Sequence, residues 1–286
     1  MKLLTLLLLL GVVSLAMSKV VKSFTECIEF FMVNPEDQNK VITSVLEGER
    51  YRQICQVWNG KQSFATLYDT YHRIPVYSAY VFNQKNRGFG DGFVWKIEPQ
   101  LDDLPGDEMR ASEGEILKNQ AEDPDYNIEH EGCRYTRGHV FPRGHAVDKD
   151  HTDSTYTLTN AAPQLMENNN NWATQVENVM RRHIKAGCVN EEAYIVAGVI
   201  PGETWLPIKR GSEDIEHGVN VPKFFWSAYY CKNKKNIVKC KAFLSEQKPC
   251  KSTEKNKLQP REMGIDELNK ILSDYYEQDV IIFPGK

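Results

Sequence analysis

The sequence lacks an excess of basic residues. Its 39 Asp and Glu outnumber its 35 Lys and Arg, so the formal net charge is −4. Because proteins that bind polyanions over a broad surface are strongly basic, this composition excludes that class. Any contact with nucleic acid must come from a local patch, and such binding is expected to be weak and salt-sensitive. The basic residues that could form a patch are Arg134, Arg143, Lys149, Arg181, Arg182 and Lys185.

The sequence also lacks the C-x-x-C spacing that is typical of structural zinc sites. Its seven cysteines should mostly form disulfides in an oxidising compartment. Since seven is an odd number, at least one thiol stays free, pairs with another chain or is capped. The spacings leave the connectivity open, although Cys231 and Cys240 flank a turn-like segment and would suit two adjacent strands. The other five are Cys27, Cys55, Cys133, Cys188 and Cys250.

Apolar runs long enough to span a bilayer are absent beyond the N-terminal segment. That segment has an apolar run from Leu3 to Leu10, and small residues at Ala16-Met17-Ser18 provide a cleavage site. The pattern predicts a signal peptide over residues 1–18 and a secreted, extracellular protein without a membrane anchor. We expect residues 19–286 to form one domain. The C-terminal Asp279–Lys286 is only a short buried-strand candidate.

Internal repeats are absent too, and the remaining patterns indicate a mixture of strands and helices. Apolar residues at spacings of three and four predict helices over Asn169–Lys185 and Gly264–Glu277. Asn83–Gly92 and Leu101–Asp125 are predicted loops. Several strands with few interspersed helices indicate the α+β class. Segments enriched in β-branched and aromatic residues, which predict the strands, are Ile74–Phe82, Ala193–Ile200, Val221–Cys231 and Ile237–Leu244.

The tripeptide Arg-Gly-His is present twice, at Arg137–His139 and at Arg143–His145, and His151 continues the interval of six residues. Three histidines at this interval fit neither one face of a helix nor a usual spacing of zinc ligands. The first copy follows a strand-like segment, Cys133–Tyr135, and a second strand-like run, Tyr156–Asn160, precedes the predicted helix. The local order is strand, loop, strand, helix.

A histidine from the first strand and an asparagine from the start of the helix make chemical sense as a pair. A neutral imidazole, here His139, can take a proton from water near neutral pH. An amide oxygen, here that of Asn169, suits Mg²⁺, which keeps most of its waters and needs few protein ligands. The pair indicates hydrolysis of a phosphodiester.

Three sequence blocks resemble the DNA/RNA non-specific endonucleases, a family with the ββα-metal (His-Me finger) fold. They are Thr136-Arg137-Gly138-His139-Val140-Phe141-Pro142, then Thr159-Asn160-Ala161-Ala162-Pro163-Gln164, and then Asn169 with Trp172 and Glu177. A lone Arg-Gly-His would be a weak signal, but three blocks in order and at family-like spacing are specific. Phe64–Asp69 and Arg73–Tyr80 extend the resemblance to the secreted endonuclease domain-containing 1 proteins, and it covers most of the chain.

The resemblance distinguishes between the two Arg-Gly-His copies. In this family the base histidine lies about thirty residues before the metal-binding asparagine and is followed by Pro at the third position. His139 meets both conditions, with Asn169 and Pro142, whereas His145 meets neither. His145 and His151 are then expected to be solvated loop histidines.

The resemblance also implies a function and a role for each residue. The function is metal-dependent cleavage of DNA, with RNA as an alternative substrate, with little sequence preference and leaving 5′-phosphate ends. His139 would be the general base, Arg137 would face the scissile phosphate, and Asn169 would hold Mg²⁺, with Mn²⁺ as the alternative ion. The supporting residues would be Glu177, Asn160 and Thr136. The whole would be a ββα-metal core within a single mixed sheet-and-helix domain.

Two departures from the family pattern stand out. Thr136 replaces an aspartate, which removes a carboxylate beside the metal and puts metal affinity in doubt. Trp172 lies one residue earlier than in the family pattern. If the alignment with the family is shifted by one residue here, Asn170 would be the metal ligand in place of Asn169.

Other readings of the same residues remain open. Arg137 could be a surface arginine, Glu177 a solvated helix residue, and the asparagine run a helix cap. The rival function is a secreted binding or immune-associated protein that keeps the fold without turnover, which Thr136 and the acidic net charge favour slightly. A zinc hydrolase built on His139, His145 and His151 is a third reading.

Overall fold

The computed structural model describes residues 20–83, 94–126, 129–130, 132–247 and 259–285. The predicted signal peptide over residues 1–18, and all but the first residue of the predicted loop Asn83–Gly92, lie outside the described residues. The strands are β1 (Val20–Val21), β2 (Val33–Asn34), β3 (Asp37–Val41), β4 (Tyr51–Trp58), β5 (Lys61–Asp69), β6 (Ile74–Asn83), β7 (Glu129–His130), β8 (Cys133–His139), β9 (Ala161–Leu165), β10 (Glu192–Ile200), β11 (Thr204–Arg210), β12 (Glu213–Val221), β13 (Phe224–Lys232), β14 (Val238–Glu246) and β15 (Arg261–Met263). The α-helices are α1 (Lys149–Ser154), α2 (Met166–Trp172), α3 (Asn178–Gly187) and α4 (Ile265–Tyr276).

An eight-stranded sheet with the order β1-β4-β5-β6-β10-β13-β14-β15 forms the middle layer, and its neighbours are all antiparallel. Side chains alternate between its two faces. In β10, Ile195 and Val199 pack into one apolar cluster, whereas Val196 and Ile200 pack into a second. Both faces of the sheet are therefore covered.

Different elements cover the two faces. The β8–β9 hairpin and the long helix that follows it lie on one face, where Val176 and Met180 are buried. On the other face lie α4, with Leu268 and Leu272 buried, and the 3₁₀ segment Phe24–Phe30. The fold is α+β, as predicted, and the sheet is enclosed between two outer layers.

Strands β8 and β9 and the helix that follows form a ββα unit. The strands pair antiparallel, with His139 opposite Ala161. The prediction of a strand over Tyr156–Asn160 was wrong, because Leu158–Asn160 forms a 3₁₀ turn and the strand begins at Ala161. Proline lacks an N–H, so Pro163 argues against a central strand. It is tolerated here because β9 is an edge strand of the sheet β7-β8-β9.

The helix predicted over Asn169–Lys185 is present and longer. It runs through α2, a π-helical turn over Ala173–Glu177, and α3, and it ends at Gly187 as expected. Its N-cap is Leu165, so the asparagine run lies inside the helix and does not cap it. The predicted C-terminal helix is present as α4.

Disulfides join the outer layers to the sheet. Cys27 bonds to Cys55, and Cys188 at the end of α3 bonds to Cys231 in β13. Cys133 is also disulfide-bonded. Cys231 does lie on a strand adjacent to that of Cys240, but its disulfide partner is Cys188, which directly follows α3.

Two further predictions concern the C-terminal segment, expected to form a strand, and the absence of a membrane-spanning segment. The prediction of a strand over Asp279–Lys286 was wrong for its described residues, which are irregular although Val280, Ile282 and Phe283 are buried. The described helices include none that is both long and apolar enough to cross a bilayer.

Candidate active site

Strand β8 carries the first Arg-Gly-His copy and divides its side chains between two faces. Arg137 and His139 both lie against Trp95. The guanidinium carbon of Arg137 is 5.6 Å from the centroid of the Trp95 ring, and the His139 ring centroid is 4.9 Å from it. Thr136 donates its hydroxyl to the carbonyl of Gln164, 3.0 Å away. The hairpin therefore places the candidate base and the candidate phosphate-binding residue together.

Aromatic rings surround the imidazole of His139. Its ring lies 4.9 Å from that of Trp95 and 4.9 Å from that of Tyr156, the latter in an edge-to-face arrangement. Burial, and secondarily the charge of Arg143, lower the pKa of His139 to about 3. Its Nε2 atom is buried and has no hydrogen-bond partner among the described residues. The imidazole of His139 is therefore uncharged at physiological pH.

Asn160 fixes the loop that follows His139. Its side-chain oxygen accepts from Phe141 N at 2.8 Å and from Ser78 Oγ at 2.9 Å. Its amide nitrogen donates to the carbonyls of Phe141, 3.0 Å away, and Thr155, 3.1 Å away. Because Asn160 is fully buried and all these bonds are internal, its side chain positions the loop and does not reach a ligand.

Asn169 is joined to β8 through Thr136. The Thr136 hydroxyl proton is donated to Gln164 O, so its oxygen can only accept from Asn169 Nδ2, which lies 3.1 Å away. This orients the amide and leaves Asn169 Oδ1 as an acceptor. The neighbours differ, since Asn168 is buried and Asn170 is exposed.

The atoms at this site that could bind a metal suit a hard cation that needs few protein ligands. The Asn169 Oδ1 atom is a suitable ligand for Mg²⁺, which retains several waters. The described part of the chain has no cluster of three or more His, Cys, Asp and Glu side chains that could hold a metal. A site of this composition suits Mg²⁺ better than Zn²⁺, which needs a fuller set of nitrogen and sulfur ligands.

Glu177 lies two helical turns beyond Asn169. Burial raises the pKa of Glu177 to about 7, and the charges of Arg181 and Arg143 oppose this increase. Arg143 also lowers the pKa of His139, and it donates to Tyr156, whose ring packs against that imidazole. Glu177 is partly buried, which distinguishes it from a fully solvated helix residue.

The raised pKa of Glu177 predicts a dependence of stability on pH. The folded protein keeps a proton that the unfolded chain loses near pH 4.5, so this stabilisation is present below pH 4.5 and lost as pH rises through about 7. Glu177→Gln, which resembles the protonated form, should match the unmodified protein below pH 4.5 and exceed it in stability at pH 8. Urea unfolding in EDTA measures this. Parallel pH profiles for the two proteins would contradict it.

Arg137 is held by several groups. Its guanidinium forms an ion pair with the Asp123 carboxylate, 2.7 Å away, and donates to the Asp123 carbonyl, 2.8 Å away. It also lies 5.6 Å from the ring centroid of Tyr126. Because only 19% of the side chain is exposed, Arg137 is not a simple surface arginine.

The second Arg-Gly-His copy has a different environment. The prediction that His145 and His151 are solvated was wrong. His145 is 3% exposed, with Nδ1 2.9 Å from Tyr80 Oη and Nε2 3.2 Å from Glu177 O. His151 Nδ1 accepts from a backbone N–H, and Nε2 lies 2.9 Å from Ser63 O. Since both histidines use both ring nitrogens internally, neither is placed to hold zinc together with His139.

The two glycines also differ, which predicts different effects of adding a methyl group. A β-carbon at Gly138 would lie 2.5 Å from Oε1 and 2.8 Å from Cβ of buried Gln164, but at Gly144 it would meet nothing within 4 Å. Overpacking should make Gly138→Ala less stable by about 1–3 kcal/mol. Gly144→Ala should stay within about 0.5 kcal/mol of the unmodified protein. Urea unfolding of both variants is the measurement, and equal stabilities would refute the difference.

Three residues near His139 were missed or given a lesser role by sequence reasoning. Arg143, considered only as part of a basic patch, donates to Tyr156 Oη at 3.0 Å. Tyr156 and Trp95 reach His139 because Lys96 pairs with Thr157 in a short parallel bridge. The only sequence signal for Arg143 is its place in the second Arg-Gly-His copy.

Comparisons with known proteins show the family of this chain. The profile of the family described as DNA/RNA non-specific endonuclease matches residues 48–279. The endonuclease domain-containing 1 protein of Homo sapiens is 30% identical over 213 residues, and that of Mus musculus is 28% identical over 223. Each match covers 73% of this chain and 39% of the relative, so the chain spans well under half the length of these relatives.

A solved structure is similar as well. The crystal structure of the EndoG/EndoGI complex, which concerns the mechanism of EndoG inhibition, aligns with 78% of this chain and 84% of its own. The TM-score is 0.48 and the sequence identity is 15%.

Proposed function

The chain belongs to the family of DNA/RNA non-specific endonucleases, and from this premise we propose that it hydrolyses phosphodiester bonds in DNA and RNA with little sequence preference. The observation that carries the proposal is the neutral His139 imidazole, enclosed by Trp95 and Tyr156 beside Arg137. A base that is uncharged at physiological pH, next to a guanidinium, suits attack of water on a phosphate.

His139 takes a proton from the attacking water, whose oxygen forms a bond to phosphorus. The bond from phosphorus to the 3′ oxygen breaks, so the product strand keeps a 5′ phosphate. The leaving 3′ oxygen takes a proton from solvent water and becomes a hydroxyl. Arg137 binds the negatively charged phosphoryl oxygens once the phosphate displaces the Asp123 carboxylate. Asn160 keeps the loop after His139 in place through its two bonds to Phe141.

Asn169 Oδ1 is the atom that would hold Mg²⁺, or Mn²⁺ as an alternative, and Glu177 would support it. When bound, the ion supplies positive charge that stabilises the phosphoryl oxygens and the leaving oxygen. Thr136 contributes by orienting the Asn169 amide at 3.1 Å, although it brings no negative charge.

We place this activity outside the cell. The disulfides Cys27–Cys55 and Cys188–Cys231 support folding in an oxidising compartment, because such bonds are rare in the cytosol. Residues 1–18 would serve as the signal peptide that directs export.

A second candidate is a secreted binding or immune-associated protein without turnover. Two features favour it: Thr136 has no carboxylate beside Asn169, and Asp123 already neutralises Arg137. This protein would bind nucleic acid but leave it intact.

Supercoiled plasmid incubated with the purified protein and Mg²⁺ separates the two functions. The nuclease should produce nicked circles that DNA ligase reseals, since the ends are a 5′ phosphate and a 3′ hydroxyl. Intact plasmid that is nevertheless bound would favour the binding protein. Nicks that ligase cannot seal would contradict the proposed bond cleavage.

A further inference from the structure

A groove of about 840 Å³ opens where α3 ends, beside the turn between β13 and β14. Its lining includes four exposed lysines, which define the lysine groove: Lys185, Lys234, Lys235 and Lys239. Among the described residues, none of these lysines forms an ion pair, and Glu191 is the one carboxylate in the lining. In a chain of net charge −4, this is a concentrated positive surface.

The two sides of the lysine groove are held together covalently. The disulfide Cys188–Cys231 lies three residues after Lys185 and three residues before Lys234, and so joins the helix side to the hairpin side. The side chain of Asn233 orders the hairpin turn by accepting from Lys235 N and Ile237 N, each at 2.9 Å. The backbone that carries the lysines is therefore ordered before an anion binds, which lowers the entropic cost of binding.

A basic path connects the groove to the candidate active site. Glu177, Arg181 and Lys185 stand four residues apart and share one face of the helix. Arg181 and Arg143 both affect the pKa of Glu177, and Arg143 also affects that of His139. From Glu177 to Lys185 the helix rises about 12 Å at 1.5 Å per residue.

We infer that the lysine groove binds the phosphodiester backbone of the substrate about three to four base pairs beyond the part that faces Glu177, at 3.4 Å per base pair. The inference rests on the proposed nuclease function, because that function supplies the polyanion. Lysine ammonium groups contact phosphates as point charges without reading the bases, which agrees with low sequence preference. The path along the helix face favours nucleic acid over an unrelated polyanion.

Binding of a fluorescent duplex of about 30 base pairs, measured by anisotropy in EDTA at several salt concentrations, tests the inference. The groove variant carries Ala at Lys185, Lys234, Lys235 and Lys239. The control carries Ala at Lys40, Lys61, Lys209 and Lys270, exposed lysines outside the groove whose removal changes the net charge equally. The salt slope of the groove variant should fall by about two to three, at 0.9 per lost phosphate contact, and its low-salt affinity by about tenfold. The control should change little.

Each outcome has one meaning. Equal slopes for the groove variant and the unmodified protein would overturn the inference. So would loss of binding to heparin, a sulfated polysaccharide, with DNA binding retained, because the groove would then serve another polyanion. Since binding in EDTA needs no turnover, a protein that binds through the groove but never nicks plasmid would overturn only the nuclease function. Nicking with an unaltered salt slope would overturn only the groove.

Discussion

Replacing His139 with alanine is expected to slow phosphodiester cleavage by roughly 10²–10⁴-fold, the usual range for loss of general-base assistance. The imidazole ends β8 and packs against Trp95 and Tyr156, so its removal leaves the hairpin ladder in place. Initial rates of plasmid nicking in Mg²⁺ measure the effect, and near-ultraviolet circular dichroism checks that the variant is folded. A rate within threefold of the unmodified protein would exclude His139 as the base.

His145→Ala is the matched control, because it changes the same residue type in the same tripeptide. This side chain is buried and contacts Tyr80 Oη and Glu177 O, so its loss should lower stability by about 1–3 kcal/mol through unsatisfied partners. The cleavage rate per folded molecule should change only a few-fold. A rate loss at His145 equal to that at His139 would mean that the two histidines act together.

Asn169→Ala should be about as damaging as His139→Ala, but raised Mg²⁺ should partly restore its rate. The variant loses the amide oxygen proposed to hold the ion, whereas the base remains. Nicking rates titrated against Mg²⁺ distinguish the two defects, because the apparent metal affinity falls only in the Asn169 variant. Full loss of rate at every Mg²⁺ concentration would contradict a ligand role.

Asn170→Ala controls for position within the asparagine run. Asn170 is exposed, and among the described residues it is Asn169 whose side chain reaches Thr136. The variant should therefore cleave at nearly the unmodified rate. If Asn170→Ala were the damaging change and Asn169→Ala harmless, the metal ligand would be shifted by one residue.

The order of elements around the site could be predicted because each has a local signature. The helix with Val176 and Met180 follows a period of 3.6 residues, and Gly187 ends it. The second strand of the hairpin was misplaced because Pro163 disfavours a strand and Tyr156–Asn160 has a stronger β composition. What allows β9 is its position at a sheet edge, which is a tertiary property.

Strands β11 and β12 were missed for related reasons. Strand β11 contains Pro207, and β12 begins with the charged residues Glu213 and Asp214. A register shift between Leu206 and Ile208 accommodates the proline in the pairing. These two segments carried no prediction from the sequence, and their pairing in the structure identifies them as strands.

The surroundings of His139 could not be predicted from the blocks. Trp95 lies more than forty residues earlier and reaches the site through the Lys96–Thr157 bridge. His145 and His151 were expected in solvent because perturbed and functional histidines are the minority, yet Tyr80 and Ser63 from the large sheet contact them. Whether a loop residue is buried depends on which other segments pack over it, and these tertiary contacts cannot be read from a single sequence.

Side-by-side plasmid nicking by the unmodified protein and His139→Ala tests most directly whether the chain is a metal-dependent nuclease with His139 as its base. Both proteins are assayed at equal concentration with Mg²⁺ and with EDTA. We expect rapid nicking only by the unmodified protein with Mg²⁺, and a rate lower by roughly 10²–10⁴-fold for His139→Ala. Equal nicking by both proteins, or nicking that persists in EDTA, would contradict this mechanism.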